Sequence, residues 1–151
     1  NESHTQFVKY PAEKDESDLE LALLKALSLK PDQIIIWGAL GKRTDHLFAN
    51  LMLLTLPLKS GIKTKLVDEN HEIYVVDKEL ELSGNIGDYL SLFPLSQEVK
   101  GITTQGLKYK LQNETLFLGP TRGLSNEFTH NTARVSFVQG LLLVIHVKRT
   151  N

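Results

Sequence analysis

The stretch Gln33-Ile34-Ile35-Ile36-Trp37 runs directly into the turn Gly38-Ala39-Leu40-Gly41-Lys42-Arg43-Thr44-Asp45, and this junction decides the fold of the first half of the chain. A run of β-branched residues without polar alternation predicts a strand that is buried on both faces, as in a parallel sheet. The glycines that follow mark a turn. A helical pattern then covers residues 45–56, and Pro57 is expected to end that helix because proline cannot donate a backbone hydrogen bond.

The residues on either side of this junction extend the same pattern. Upstream, Ser17 and Glu20 have the spacing of a capping box, which predicts a helix that ends near Leu29. A short strand-like run at 6–10 precedes that helix, and a further strand is predicted at 63–67. Alternating strands and helices of this kind indicate a right-handed α/β unit with a parallel sheet.

The second half of the chain has a different pattern, with short strands in place of helices. Clusters of Gly, Asn, Pro and Ser separate seven candidate strands at 72–76, 89–94, 99–103, 107–110, 114–118, 134–138 and 141–147. Many short strands at this spacing are typical of a β-sandwich or barrel. The predicted fold class is therefore α/β plus all-β: a partial parallel α/β unit followed by a β-sandwich or barrel, with the change of pattern between about residues 77 and 87.

Composition excludes several classes of function. The 151 residues carry 17 Lys and Arg against 18 Asp and Glu, so no basic excess supports phosphate-driven nucleic-acid binding. The absence of Cys removes disulfide scaffolds, Cys-ligated zinc and thiol catalysis. The Leu-rich stretch at 47–58 is too short to span a bilayer, and no secretion signal is recognisable at the start. We expect a soluble, cytoplasmic protein without nucleic-acid or membrane partners.

The α/β half looks incomplete. Three strands and two helices leave at least one sheet edge open, and parallel sheets normally have helices on both faces. The chain also begins with Asn1 rather than Met. We therefore expect that an N-terminal portion of the protein is missing from this chain.

Two carboxylates are candidates for chemistry because each lies in the first turn of a predicted helix. Asp18 and Asp45 would lie at the carboxyl edge of the strands, where open α/β sheets bind ligands. Carboxylates together with phosphate oxygens suit Mg²⁺, although a single acidic residue at this position more often only stabilises its helix. Arg43, beside Asp45, can bind phosphate oxygens or simply pair with that carboxylate. His46 is expected to lie on the helix surface, and the other histidines lack the spacing of a zinc site.

Several longer segments carry a family resemblance. They are Lys14-Asp15-Glu16-Ser17-Asp18-Leu19-Glu20-Leu21-Ala22, Gly38-Ala39-Leu40-Gly41-Lys42-Arg43-Thr44-Asp45-His46, Ser91-Leu92-Phe93-Pro94-Leu95, Val99-Lys100-Gly101-Ile102-Thr103-Thr104, Gly106-Leu107-Lys108-Tyr109 and Thr121-Arg122-Gly123-Leu124-Ser125-Asn126-Glu127-Phe128. In this order the chain resembles the thiamine pyrophosphokinase family from about residue 14 to residue 145. The resemblance implies diphosphate transfer from ATP to thiamine, which gives thiamine diphosphate and AMP and requires Mg²⁺. It implies that residues 1–78 are the C-terminal part of a Rossmann-like α/β catalytic domain and that residues 79–151 are a β-sandwich that binds thiamine. It also implies a homodimer whose sites lie between subunits.

The resemblance implies roles for individual residues. The residues it places in catalysis are Asp18, which also binds the metal, and the pair Arg43 and Asp45, which faces the substrates. Those it places at ATP are Lys14, Asp15, Ser17, Gly41 and Arg43. Those it places at thiamine are Ser125 and Asn126, with Phe128 as a looser assignment.

Two departures from the family pattern affect the expected activity. Lys42 replaces a frequent glycine, and the family's upstream Gly-Asp-x-Asp-Ser segment, which supplies further metal carboxylates, does not occur in this sequence. We therefore expect the chain to be inactive alone. The alternative function is a thiamine-binding or regulatory protein without transferase activity. A sugar-binding sandwich would explain Asp18 and the Arg43–Asp45 pair poorly.

Overall fold

The structure, a computed structural model, describes residues 9, 11 and 15–150. Lys14 and all but one residue of the strand predicted at 6–10 lie outside the described residues. The helices are α1 (Asp18–Ser28), α2 (Thr44–Leu53) and α3 (Thr55–Lys59). The strands are β1 (Gln33–Trp37), β2 (Lys63–Val67), β3 (His71–Val76), β4 (Glu79–Ser83), β5 (Tyr89–Pro94), β6 (Glu98–Gln105), β7 (Glu114–Phe117), β8 (Asn126–Glu127), β9 (Thr132–Ser136) and β10 (Leu142–Val147). No helix in the described part of the chain is long and apolar enough to cross a membrane.

The start of α1 follows a local sequence signal, but the end of α2 does not. Ser17 caps α1, and its Oγ accepts a hydrogen bond of 3.2 Å from the backbone N–H of Glu20, as the capping pattern predicts. The second helix was expected to continue to residue 56 and to end at Pro57. Instead α2 ends at Leu53, and Pro57 is the third residue of the short helix α3. A proline is tolerated there because the first turn of a helix has no internal acceptor for its N–H groups.

The strands form a mixed six-stranded sheet and an antiparallel four-stranded sheet. The six-stranded sheet has the order β1-β2-β3-β10-β5-β8, and only its β1–β2 pair is parallel. The other sheet has the order β4-β9-β6-β7. Because β10 pairs with β3, a strand near the end of the chain completes the sheet that begins in the α/β half. The domain boundary at residue 78 stays a prediction, and the larger sheet contains strands from both sides of it.

The six-stranded sheet separates two hydrophobic clusters. The helix-side cluster consists of Leu23, Ile36, Leu54, Leu66, Ile73, Val75 and Leu143. The inter-sheet cluster consists of Leu82, Leu90, Leu92, Val99, Ile102, Leu107, Leu111, Leu116, Phe128, Ala133, Val135, Phe137, Leu142 and Val144. Strand β10 contributes to both because successive side chains point to opposite faces. Leu142 and Val144 lie in one cluster and Leu143 in the other, so β10 is buried on both sides.

The structure corrects two strand predictions and adds two strands that were not predicted. Strand β1 is not buried on both faces: Ile35 is 53% and Trp37 is 67% exposed, because β1 is an edge strand and its packing among the described residues uses the face that carries Ile36. The strand expected at 107–110 is absent, and Leu107 makes only an isolated bridge to Phe128. Two further strands, β4 and β8, were missed. Strand β4 has alternating apolar residues that could have revealed it, whereas β8 has only two residues.

Candidate functional site

The glycine-rich turn after β1 is held in place by a side chain of α2. Gly38 has φ of +79°, a left-handed conformation in which glycine is favoured because it has no Cβ, so the chain turns sharply at the end of the strand. The Asn50 side-chain N–H then donates a 2.8 Å hydrogen bond to the carbonyl of Ala39. This bond fixes the turn relative to α2. Gly41 lies exposed in the same turn, with no atom close to its missing side chain.

Arg43 and Asp45 form a bidentate ion pair where this turn enters α2. Arg43 Nε donates to Oδ1 of Asp45 at 3.2 Å, and Nη2 donates to Oδ2 at 2.7 Å. The hydrogen bond from Arg43 lowers the pKa of Asp45 to about 2, and the same bond raises the pKa of Arg43. Both side chains are exposed, with 71% and 65% of their surface accessible. Since a guanidinium has five N–H groups, those at Nη1 remain available for a phosphate oxygen.

The start of α1 presents a second exposed acidic position. Asp18 is the first residue of α1 and is exposed, as are Asp15 and Ser17 just before it. The Ser17 hydroxyl is engaged as the helix cap. Within residues 15–150 and the two isolated described positions, no group of three or more His, Cys, Asp or Glu side chains could hold a metal ion. A metal here would therefore depend on one carboxylate and on ligands from elsewhere.

Asn126 joins two surface segments through three hydrogen bonds. Its Oδ1 accepts from the backbone N–H groups of Tyr109 and Glu127, each at 2.9 Å, and its Nδ2 donates to the Tyr109 carbonyl at 2.7 Å. The side chain is buried, with the residue only 7% exposed. Asn126 therefore shapes the segment that carries Tyr109 and has little surface of its own to offer a ligand.

Ser125, which precedes Asn126 in the chain, has an unusual backbone conformation. Its φ is +54°, and its backbone N–H donates to Oγ of Ser91 at 3.0 Å. Non-glycine residues seldom adopt this left-handed conformation, and such residues cluster at functional sites. The residue is exposed, so its hydroxyl is accessible to a ligand.

Phe128, the looser thiamine assignment, lies in the core. It is 1% exposed, and its ring centroid is 5.0 Å from that of His146. In this structure its ring therefore presents no surface on which a ligand could stack. Its thiamine-binding role stays a prediction.

The exposed aromatic side chain next to Asn126 is Tyr109, to which the sequence assigned no role. Tyr109, held by Asn126 through its backbone, is 63% exposed. Lys108 Nζ lies 5.8 Å from the centre of the Tyr109 ring and 3.1 Å from Oε2 of Glu127. The segment at 106–109 was noted only as part of the resemblance. Sequence alone gave no signal that Tyr109 lies next to Asn126, 17 residues further along the chain.

The two groups of candidate residues lie at opposite edges of the six-stranded sheet. The pairing register places one row of residues across it: Trp37, Val67, Glu72, His146, Leu90 and Asn126. Five strand spacings of about 4.8 Å separate Trp37 from Asn126, or about 24 Å. Arg43 and Asp45 follow the Trp37 end of the row, and Ser125 adjoins its Asn126 end. The structure brings Arg43 to Asp45 and Ser125 to Asn126, but it does not bring the two pairs together.

Comparison with known proteins gives matches in both halves of the chain. Residues 1–66 match the family model described as "Thiamin pyrophosphokinase, catalytic domain", and residues 70–142 match "Thiamin pyrophosphokinase, vitamin B1 binding domain". A curated thiamine pyrophosphokinase of Bacillus subtilis (strain 168) is 39% identical over 139 residues. The match covers 90% of this chain but only 64% of that relative's length.

Solved structures show the same relationship. The crystal structure of the Bacillus subtilis thiamine pyrophosphokinase superposes with a TM-score of 0.86 at 38% identity, covering 93% of this chain and 67% of that one. A thiamin pyrophosphokinase family protein from Enterococcus faecalis gives a TM-score of 0.81 at 34% identity, covering 95% and 68%. On these matches in sequence and in fold, the chain belongs to the thiamin pyrophosphokinase family.

Proposed function

We propose that this protein transfers a diphosphate group from ATP to thiamine, giving thiamine diphosphate and AMP. The observation that carries the proposal is the exposed Arg43–Asp45 pair at the start of α2, within the segment that matches the family's catalytic domain. Ser125 and Asn126 lie within the segment that matches the vitamin B1 binding domain. On this proposal the first half is a Rossmann-like α/β part and the second half a β-sandwich. The cytoplasmic location stays a prediction.

The side chains present suit this reaction without a covalent nucleophile. The thiamine hydroxyl attacks the β-phosphorus of ATP, the bond to the α-phosphate oxygen breaks, and AMP leaves. Catalysis of phosphoryl transfer rests mainly on positioning and on stabilising charge at the phosphoryl oxygens. Arg43 would bind those oxygens through Nη1, while the bidentate pair holds its guanidinium in one orientation. Asp45, a carboxylate at neutral pH, would orient the attacking hydroxyl by accepting a hydrogen bond from it.

Asp18 fits a magnesium site in which the protein supplies only one or two of the ligands. Mg²⁺ commonly binds one or two protein carboxylates and completes its coordination with phosphate oxygens and water. A single exposed carboxylate at the start of α1 meets that requirement. Bound there, Mg²⁺ would neutralise charge on the phosphates of ATP. Lys14, Asp15, Ser17 and Gly41 are proposed to line the nucleotide on the same side.

The separation of the two residue groups supports a site shared between two subunits. About 24 Å divides the β1 end of the sheet from the β8 end within one chain, whereas both groups must reach one pair of reacting substrates. In a symmetric dimer, the Arg43 end of one subunit can face the Ser125 end of the other. We therefore propose a homodimer in which the exposed ring of Tyr109 offers a face to the cationic thiazolium of thiamine.

The decisive experiment measures AMP release with thiamine and Mg·ATP. It is run on the 151-residue chain and on the product of its complete reading frame. Thiamine-dependent AMP release by the complete product supports the transferase. Thiamine binding by calorimetry without AMP release would instead identify a binding or regulatory protein.

An Asp18→Asn variant tests the assigned metal carboxylate. Turnover of the active form should fall by at least ~10²-fold, equivalent to about 2.7 kcal/mol of transition-state stabilisation. Asp32→Asn is the matched control, because Asp32 is an exposed carboxylate just before β1 and outside the proposed site. Near-normal turnover of Asp18→Asn across Mg²⁺ concentrations would leave Asp18 with a helix-stabilising role only.

Subunit exchange tests the shared site. Asp18→Asn and Asn126→Ala, each impaired as a homodimer, are mixed and allowed to exchange. In half of the dimers, one site would carry both defects and the other none, so about a quarter of the wild-type activity should return. No recovery after proven exchange would place each site within one chain.

A further inference from the structure

A buried, hydrogen-bonded pair of side chains, Asp88 and His146, lies behind the edge that carries Ser125 and Asn126. His146 Nε2 is 2.9 Å from Oδ2 of Asp88, and the two residues are only 1% and 2% exposed. The Asp88 carboxylate also accepts hydrogen bonds from the backbone N–H of Asn85 at 2.8 Å and of Arg149 at 3.0 Å. Burial raises the pKa of Asp88, but these hydrogen bonds outweigh it, so its pKa lies below the ordinary value. None of the roles assigned above uses this pair.

The orientation of the histidine ring is fixed by what surrounds it. Because a carboxylate only accepts hydrogen bonds, Nε2 carries the proton that is donated to Asp88. The other ring nitrogen, Nδ1, is buried and has no hydrogen-bond partner among the described residues. The ring is therefore held by Asp88 on one side and by packing on the other.

The pair is connected to the β8 segment through both backbone and ring contacts. The backbone carbonyl of Asp88 accepts from the N–H of Phe128 at 2.9 Å, and Gly87 N–H donates to the Phe128 carbonyl at 2.9 Å. The Phe128 ring packs on His146. A Cβ added at Gly84 would lie 2.9 Å from Phe128 Cε1 and 3.0 Å from His146 Nε2, so the cluster leaves no room for adjustment.

Strand β8 needs this support because its own pairing is short. It has two residues and lies at the edge of the sheet, where β5 is its one partner strand among the described residues. The segment at 106–109 adds isolated backbone hydrogen bonds on its other side. An edge strand of this length makes few ladder hydrogen bonds. The contacts of Phe128 with Asp88 and His146 therefore help to place the preceding residues, Ser125 and Asn126, together with the hydrogen bonds that those two residues make themselves.

We propose that Asp88 and His146 are positioning residues that hold the thiamine-binding edge in place, so that their loss weakens the use of thiamine but not that of ATP. This inference rests on the proposed function, since it assigns thiamine to the β8 edge. The effect should be specific to thiamine, because the Arg43–Asp45 turn follows β1, which lies three strand spacings from His146 on β10 and five from β8. Within the described residues no hydrogen bond or ion pair joins that turn to Asp88 or His146.

The test compares two substitutions at His146 in the active form of the protein. His146→Leu keeps the bulk of the side chain and removes the donor to Asp88. His146→Gln keeps an N–H at nearly the position of Nε2. We expect His146→Leu to raise the KM for thiamine at least 10-fold, with kcat and the KM for ATP within twofold of wild type. His146→Gln should restore the thiamine KM to within about threefold.

Ser96→Ala is the matched control. Ser96 Oγ accepts from Leu141 N–H at 3.0 Å and donates to the Glu98 carbonyl at 2.7 Å, near the opposite end of β10. Its loss should lower the unfolding temperature without a change specific to thiamine. If His146→Leu changes the KM values for both substrates equally, or changes neither, the positioning role is overturned.

Hydrogen exchange provides a readout that does not depend on catalysis. Loss of the pair should reduce protection of the Phe128 amide at least 10-fold while the amides of β9 keep theirs, and Ser96→Ala should leave Phe128 protected. If His146→Leu fails to fold, Asp88→Asn replaces it in the same measurement, because Asn keeps the shape of the Asp88 side chain and removes its charge. Unchanged Phe128 protection would refute the structural coupling. If the product of the complete reading frame is inactive but its Phe128 protection still depends on His146, only the proposed function is refuted.

Discussion

Replacing Asn126 by Ala should destabilise the protein and impair the proposed thiamine edge together. The substitution removes three hydrogen bonds and leaves two backbone groups of Tyr109 and one of Glu127 without their partner. An unsatisfied buried polar group costs about 1–3 kcal/mol, and water can reach part of this surface segment, so the lower end applies to each group. The expected loss is therefore about 2–4 kcal/mol in the free energy of unfolding, measured by urea denaturation.

Asn126→Asp is the informative companion because it preserves the shape of the side chain. Its carboxylate can still accept from Tyr109 and Glu127, but an oxygen would then face the Tyr109 carbonyl where Nδ2 now donates at 2.7 Å. Protonation would restore a donor, which raises the folded-state pKa of the introduced carboxyl group above its unfolded value. The loss of stability in this variant should therefore shrink as the pH falls through that raised pKa.

Two outcomes would contradict the prediction for Asn126→Ala. An Asn126→Ala variant that loses less than about 1 kcal/mol would show that the three hydrogen bonds contribute little net stability. If stability falls but the KM for thiamine is unchanged, Asn126 holds the Tyr109 segment without any consequence for the proposed substrate.

Three further predictions concern other parts of the molecule. Arg43→Gln should return the pKa of Asp45 from about 2 toward its ordinary 3.8, as measured by NMR titration; an unchanged pKa would mean that the ion pair is not its cause. Leu143→Ala should lower the free energy of unfolding by about 2–5 kcal/mol in urea denaturation, because it leaves a cavity on the helix side of the central strand. Gly106→Ala should destabilise by at least about 2 kcal/mol, since φ is +74° and a Cβ would overlap the Thr132 carbonyl oxygen; a wild-type unfolding temperature would contradict this.

Local patterns in the sequence determined much of the secondary structure. The capping serine at 17, the apolar run of β1 and the short runs between clusters of turn residues in the second half predicted α1, the parallel β1–β2 pair and most of the later strands. The sequence also indicated the ion pair of Arg43 and Asp45, because the two residues are two positions apart and need no distant contact to form it. These features depend on neighbours in the chain, which a sequence displays directly.

Only the tertiary structure decided how these pieces combine. The pairing of β10 with β3 draws strands from both halves into one sheet, and no local signal specifies a partner about 70 residues away. The same holds for the contact of Asn126 with Tyr109 and for the burial of Phe128 against His146. Local propensity fixes backbone conformation, whereas strand order and burial follow from which apolar faces can cover each other. The sequence alone therefore indicated the chemistry of the candidate residues, and the fold set the distance of about 24 Å that separates them.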